Sequence, residues 1–344
     1  MRAVRIHSHG GPEVLKLETA NAPDRQPGTA IVRVYSCALN HLDIWVRRGI
    51  PGVTISLPRI PGSDIAGIIE TIDGNSLLTA GQRVMLSPGV SCGICEHCLG
   101  GRDNFCRFYT TFGYGLDGGY ADKVRAPLQN LIPLPDSISF HEAAAFPLVF
   151  LTAWHMLVSR ARIEPGETVL VLGANSGVGS AAIQIAKLLQ CRVIATAGSE
   201  EKARAARNLG ADAVVDHYRQ SITEQARVLT KKRGVDVVFE HVGEATWNES
   251  IGALARGGRL VTCGATSGHH AVTDLRYIFS RQISILGSYM GPKIELLKVF
   301  EFFKNGKLKP VVDRVFALED ARAAHEYLEA GKQFGKVVLE INAE

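Results

Sequence analysis

Thr168-Val-Leu-Val-Leu172-Gly173-Ala174-Asn175-Ser176-Gly177-Val178-Gly179 is the stretch that decides the fold. Its apolar, β-branched start ends in a turn of small residues, and the helical pattern containing Ile183 and Ile185 follows at once. The turn is a degenerate G-x-G-x-x-G: Ala174 and Ser176 take the first two glycine positions and Gly179 keeps the third. Amides at such a helix start face a pyrophosphate, and Gly179 lets helix and strand pack closely. Small residues make tight turns in many folds, so the motif takes its meaning from its surroundings.

The same rhythm continues outward. Arg192-Val-Ile-Ala-Thr leads into a helix from Glu200 to Leu209, and Val235-Asp-Val-Val-Phe into one from Trp247 to Ala255. The strand Gly258-Arg-Leu-Val-Thr-Cys263 follows. Short apolar strands alternating with helices predict a parallel sheet covered on both faces. Residues 1–140 instead carry alternating runs broken by glycine and proline, such as Ala30-Ile-Val-Arg-Val-Tyr35, which predict a mostly β domain. Between the two, segments starting at His141 and Leu151 read as helices, with Pro147 forcing a break or kink. The tail holds helices near Ile294–Lys304 and Leu318–Glu329 and a strand from Lys336. The fold class is therefore α/β: a β-rich domain plus a parallel-sheet nucleotide-binding domain.

A second motif reads Cys92-Gly-Ile-Cys95-Glu-His-Cys98, then seven residues, then Cys106. Four thiolates at this spacing converge on one tetrahedral zinc and leave no position for substrate, so the site is structural. Gly93 and Gly100–Gly101 supply the tight turns. An iron–sulfur centre is the competing reading, and a single closed zinc site is the simpler one. His97 would be a fifth ligand and is expected to be exposed. Zinc here contributes folding energy to a lobe, residues 90–108, with little core of its own.

Bulk properties narrow the setting. The 344 residues suffice for two domains, and 46% hydrophobic content supports sizeable cores. A net charge of +4, spread without long blocks, gives no reason to expect a nucleic-acid partner. The start, Met1-Arg-Ala-Val-Arg-Ile-His7, alternates like a strand and lacks the apolar core of a signal. No run of 18 apolar residues occurs, so no membrane span is expected. Cys37, Cys191 and Cys263 are expected as buried thiols in a reducing, cytoplasmic setting.

The end of the second strand, Ala195-Thr196-Ala197-Gly198-Ser199, decides between dinucleotides. An NAD-preferring site commonly has an acid there to bond the adenosine ribose hydroxyls. Ala197 takes that place, and a small neutral residue does not repel a 2′-phosphate. Ser199 and Lys202 are placed to bond the phosphate, and Tyr218, after the next strand, to close over the adenosine. NADPH (NADP) is the expected cofactor.

Over essentially all its residues the chain resembles the medium-chain dehydrogenase/reductase superfamily, which includes zinc alcohol dehydrogenases and quinone oxidoreductases. The four-cysteine lobe, Gly62-Ser-Asp-Ile-Ala-Gly67 and the nucleotide turn carry the resemblance. It implies a GroES-like catalytic domain at 1–150 and 290–344, a Rossmann-type domain at 151–289, and an active site in their cleft. A homodimer is expected as well. The expected cofactor contacts are Thr152, the turn residues Ala174, Ser176, Gly177, Val178 and Gly179, the adenosine-side residues Ala197, Gly198, Ser199, Lys202 and Tyr218, and Gly264-Ala265-Thr266.

Departures from that pattern matter as much. The positions that hold the catalytic metal in the zinc alcohol dehydrogenases fall at Asn40, Ser63 and near Leu148, a set that cannot hold zinc tightly. One structural zinc and no catalytic one is the expectation. Asn40-His41-Leu-Asp43 and Gly62-Ser-Asp64 look instead like the quinone oxidoreductase and enoyl reductase branches.

Without a Lewis acid, an activated double bond is a better substrate than a simple alcohol. Hydride adds at the β-carbon while the conjugated carbonyl takes the developing charge, which preorganised donors stabilise. The candidates are Asn40 as substrate donor, His41 as ribose ligand or proton relay, Asp43 to fix that network, and Tyr109 at the substrate mouth. Each also has a structural reading, as a cap, a packed ring or a pair partner. The expected activity is NADPH-dependent reduction of a small-molecule enone or enoyl thioester, acyl-CoA included. Quinone reduction is the nearest rival, and a non-catalytic NADPH-binding protein is another. Arg47, Arg48 and Arg107 would meet a CoA phosphate or simply solubilise the surface.

Overall fold

A computed structural model describes residues 1–343. Its first strands are β1 (Arg2–Arg5), β2 (Lys16–Thr19), β3 (Thr29–Ala38), β4 (Asp64–Asp73), β5 (Arg83–Leu86), β6 (Gly89–Val90), β7 (Thr110–Thr111), β8 (Lys123–Pro127) and β9 (Leu131–Pro133). Then come β10 (Thr168–Val171), β11 (Arg192–Ala197), β12 (Ala213–Asp216), β13 (Val235–Glu240), β14 (Leu254–Thr262) and β15 (Ser284–Gly287). The last are β16 (Val312–Ala317) and β17 (Lys336–Glu340). The chain forms two units: Met1–Leu148 with Pro292–Phe300 and Lys309–Glu344, and Val149–Gly291 with Glu301–Leu308.

The first unit, a GroES-like sheet domain, is organised by β3. One edge of β3 pairs antiparallel with β4; the other pairs with β8 along Thr29–Arg33 and with β17 along Ser36–Ala38. This hand-over brings the head of β17 to the end of β3. The sheet order is β16-β17-β3-β4-β5-β9. Val32, Val34, Ile65, Ile69 and Leu86 form its core with Ile44 and Val46 from the helix His41–Arg48 and Leu328 from the helix Ala321–Glu329.

The second unit is the Rossmann-type domain, a parallel sheet in the order β12-β11-β10-β13-β14-β15. All four residues of β10 are buried, as helices on both faces require. The strand order reverses between β10 and β13, so the nucleotide turn after β10 sits at the topological switch point.

Several expectations need correction. The helix from Trp247 stops at Ala253 because Leu254 already pairs with Val235 as the first residue of β14. Pro147 stands at the expected break, the helix Phe140–Ala145 ending before it, but the second helix, Pro147–Trp154, starts at Pro147 itself, where its missing N–H costs nothing, rather than at Leu151. The stretch 290–344 is interrupted, since Glu301–Leu308 packs with the second unit, where Phe302 lies 5.6 Å from Trp154 between ring centroids. Cys37 and Cys191 are buried, but Cys263 is only half-buried. The run Phe140–Arg160 is long and apolar enough to cross a membrane, yet 78% of its most apolar window is buried inside the protein, as in a core helix.

Candidate functional site

The zinc lobe folds as its spacing demands. Gly93, at φ 76°, turns the chain between Cys92 and Cys95; the short helix Glu96–Leu99 carries Cys98, and a 3-10 turn over Asp103–Phe105 delivers Cys106. All four Sγ atoms lie within 4.8 Å of one another. The pairs Cys95–Cys98 at 3.5 Å, Cys92–Cys106 at 3.6 Å and Cys92–Cys98 at 3.9 Å match the sulfur spacing of about 3.8 Å that Zn–S bonds of about 2.3 Å impose on a tetrahedron. Backbone N–H groups of Ile94 and Cys95 draw the Cys92 thiol down to about 6, toward the thiolate form a metal binds. The cluster fits one structural zinc. His97 is half-buried rather than exposed and lies outside the cluster, its ring 6.1 Å from that of Phe105.

In the first unit, the end of β3, the start of β4 and the head of β17 meet in a dry polar cluster. Lys336 spends its three N–H groups on Leu39 O at 2.7 Å, Asn40 Oδ1 at 2.6 Å and Asp64 Oδ2 at 3.0 Å. Asn40 Nδ2 donates to Asp64 Oδ2 at 3.0 Å and to Ser63 Oγ at 3.3 Å. Asp64 Oδ1 accepts the amide of Leu148 at 2.9 Å. Asn40, Ser63 and Leu148, the three positions singled out in sequence, are therefore held together by Asp64 and Lys336, all but Leu148 buried. Both amide hydrogens of Asn40 are engaged inside the protein.

Asp43 lies under this cluster. One carboxylate oxygen accepts Asn40 N at 2.8 Å and the other Gly62 N at 2.9 Å. Complete burial raises its pKa to about 7 against the pull of those two amides. It clamps the start of the helix His41–Arg48 to the Gly62–Asp64 turn. His41, the first residue of that helix, is only half-buried, unlike Asn40 and Asp43. The Tyr109 ring packs over Gly89, whose missing Cβ makes the room.

Arg47 neither meets solvent nor covers the surface. Its guanidinium is fully buried, donating to Gly10 O at 3.2 Å, His325 Nδ1 at 3.2 Å and Glu329 Oε1 at 2.6 Å. With Nδ1 accepting, His325 Nε2–H donates to the Tyr120 hydroxyl at 3.1 Å. The arginine thus fixes the back of the helix whose front carries His41. Arg48 and Arg107 remain exposed.

In the second unit, the expected cofactor residues other than Thr152, which lies in the helix Pro147–Trp154, lie at or after the carboxyl ends of neighbouring parallel strands. Ser176 caps the twelve-residue helix Gly177–Leu188, accepting Gly179 N at 2.9 Å and donating to Gly173 O at 2.8 Å. The amides of Gly177 and Val178 have no acceptor within the helix and suit an anion at its start. A Cβ on Gly179 would run into Gly173 O, so only glycine closes this turn. After β11, Ser199 caps the next helix through Lys202 N at 3.3 Å, and the Tyr218 ring lies over Gly198. Ala197 carries no acid. The nearby Asp216 is turned to the Tyr218 amide at 3.0 Å. Thr266 Oγ1 donates to His241 O and Val242 O, both at 3.4 Å, binding the Gly264–Thr266 loop to the one after β13. Thr152 is buried, and its Oγ1 has no partner among the described residues, an orphan hydroxyl such as a bound group would satisfy. The residues present fit a nicotinamide dinucleotide.

Known proteins agree. The alcohol dehydrogenase GroES-like domain matches residues 26–136 and the zinc-binding dehydrogenase domain residues 177–305. A quinone oxidoreductase of Pongo abelii is 31% identical over 98% of this chain and 97% of its own length. An NAD-dependent alcohol dehydrogenase of Sulfolobus acidocaldarius is 32% identical over 99% and 100%. The chain belongs to the medium-chain dehydrogenase/reductase superfamily. A solved NAD-dependent alcohol dehydrogenase superposes with a TM-score of 0.96 at 45% identity, covering 99% of this chain and 100% of that one. This medium-chain enzyme is accordingly an oxidoreductase of an NAD(P)(H)-binding family with small-molecule substrates.

Sequence reasoning missed residues that matter to these sites. Lys336 heads an apolar strand, where a cation signals a buried partner. Glu240 ends β13 and is buried, its Oε1 taking Val242 N and Gly243 N at 3.0 Å each and Thr246 Oγ1 at 2.7 Å, which shapes the loop after the strand. His241 Nε2 bonds Leu172 O at 3.0 Å and lies 3.3 Å from Ser176 Oγ, so it backs the nucleotide turn. His217 beside Tyr218 has a buried Nδ1 without a partner among the described residues.

Proposed function

We propose that this enzyme reduces the C=C bond of an α,β-unsaturated carbonyl compound, an enone or an enoyl thioester such as enoyl-CoA, with NADPH and without a catalytic metal. The carrying observation is the Lys336 ammonium seated on Asn40 Oδ1 and Asp64 Oδ2 at 2.6 and 3.0 Å. These oxygens are what the Asn40–Ser63–Leu148 region could offer a cation, and each already holds one. A dication placed there would meet the ammonium's repulsion at bonding distance in a dry site. Reduced NADPH, when bound, supplies the hydride. His41, the half-buried member of the group, then orients the nicotinamide ribose or passes the proton. Asn40 and Asp43 act as positioning residues that hold the start of the His41 helix, and Tyr109 lines the rim.

The preference for NADPH is supported by Ala197 at the strand end, with Ser199, Lys202 and Tyr218 grouped beside it. The quinone reading draws on the Pongo abelii relative, and the solved relative's name brings alcohols and NADH into the test. We also propose a homodimer formed through the open edge of β15, and a reducing cytoplasm as its setting, given free cysteines. The deciding experiment is a panel of enones, enoyl-CoA esters, quinones and simple alcohols, each with NADPH and NADH, followed by product analysis. A product saturated at carbon with its carbonyl intact, formed faster with NADPH, is expected. Quinol alone selects the rival, and turnover of simple alcohols defeats the metal-free reading.

A further inference from the structure

The first unit holds a cavity of about 580 Å³ that shares no residue with the Asn40–Lys336 cluster. That volume is in the range of small-molecule pockets. Ile60, Val90 and Leu116 give it apolar walls. Four cationic side chains, Arg5, Arg59, Lys123 and Arg125, line it against one acid, Asp117.

The cations are not equally satisfied. Arg5 pairs with Glu18 at 2.7 Å and Lys123 with Glu70 at 2.6 Å, so their charges are offset from outside the lining. Arg59 reaches Asp117 with one N–H at 3.3 Å, but its Nε is buried without a partner among the described residues. Arg125 donates to the Asp24 carbonyl oxygen at 3.2 Å, a neutral acceptor that leaves its charge unbalanced. A buried guanidinium N–H with no acceptor is rare in folded proteins and points to a missing partner. Paired with an unbalanced second guanidinium and apolar walls, it is complementary to one ligand class.

We infer that this cavity binds an amphipathic organic anion, a carboxylate or phosphate on an apolar body, independently of the redox chemistry. Arg59 and Arg125 take the anionic head through charge-assisted hydrogen bonds, and Ile60, Val90 and Leu116 take the body.

Octanoate is a suitable carboxylate probe, titrated calorimetrically into the full chain beside octanol and inorganic phosphate. Saturable binding of one octanoate per chain is expected, with octanol and phosphate each at least about tenfold weaker, since each lacks half of the recognition. Arg125→Gln should weaken octanoate at least about tenfold and leave the unfolding midpoint unchanged, whereas Arg322→Gln, outside the cavity, should change neither. Arg59→Gln provides a second variant with the same expected loss. The inference falls if octanoate does not saturate, if octanol or phosphate binds as well, or if neither cavity variant weakens binding. Displacement of octanoate by NADPH would also overturn it, because the anion would then sit in the redox site.

Discussion

Lys336 has three N–H groups and three acceptors, all inside the protein, so its charge serves architecture. Lys336→Met would leave the buried Asp64 carboxylate without its counter-charge and is expected to cost about 3–5 kcal/mol in urea unfolding. Adding Asp64→Asn should cost less than the sum of the single changes; strict additivity would show that the two are not coupled. His325 provides a pH test. Burial, with the Arg47 charge, depresses its pKa to about 3. Unfolded, it titrates near about 6.5, so on acidification the unfolded chain takes the proton first. Its contribution to stability is therefore complete above about 6.5 and is lost as pH falls toward about 3, by up to about 1.4 kcal/mol per pH unit. Asp43, raised to about 7, works in the opposite direction over the same range, so the test is a difference: between pH 7 and pH 5 the wild-type urea midpoint should fall relative to that of His325→Gln. Parallel pH profiles in the two proteins would show that His325 contributes no such acid sensitivity.

Elements differ in how far their role is local. The zinc lobe is written within fifteen residues, and its only regular structures are one short helix and one 3-10 turn, so metal must supply what a core cannot. Cys95→Ser should lower bound zinc from about one per chain toward none and raise hydrogen exchange across residues 90–108, while β10–β15 amides keep their protection. Retained zinc with unchanged exchange would refute the ligand set. The helix His41–Arg48 was hidden in sequence because Asn40 and Asp43 look like site residues. The structure shows them also starting a helix, with Asp43 accepting Asn40 N at 2.8 Å. Chemistry and capping use the same residue types.

At the scale of the whole molecule, β15 leaves the parallel sheet with an open edge, and Ile285, Phe279 and Tyr289 around it are exposed. An apolar open edge is a site for strand pairing, and the proposed homodimer would use it. Light scattering should give twice the 37.2 kDa chain mass, and Ile285→Lys should shift the protein to monomer with its circular dichroism unchanged. A wild-type monomer at micromolar concentration would end the dimer proposal.

The sequence by itself determined what short-range chemistry can specify: four thiolates at metal spacing, a strand–turn–helix with Gly179 at its tight point, and the β-α periodicity of the second unit. Each depends on neighbours a few residues away, so spacing alone carries it. Only the tertiary structure decided what occupies the Asn40–Asp64 region, because Lys336 reaches Asp64 across 272 positions through the register of β17 on β3. Arg47 read as a surface cation for the same reason. Its partner His325 lies 278 positions away, and helical spacing cannot reveal a partner that only sheet and helix packing delivers. Long-range pairing places buried charges, and its register depends on the whole fold rather than on any local stretch.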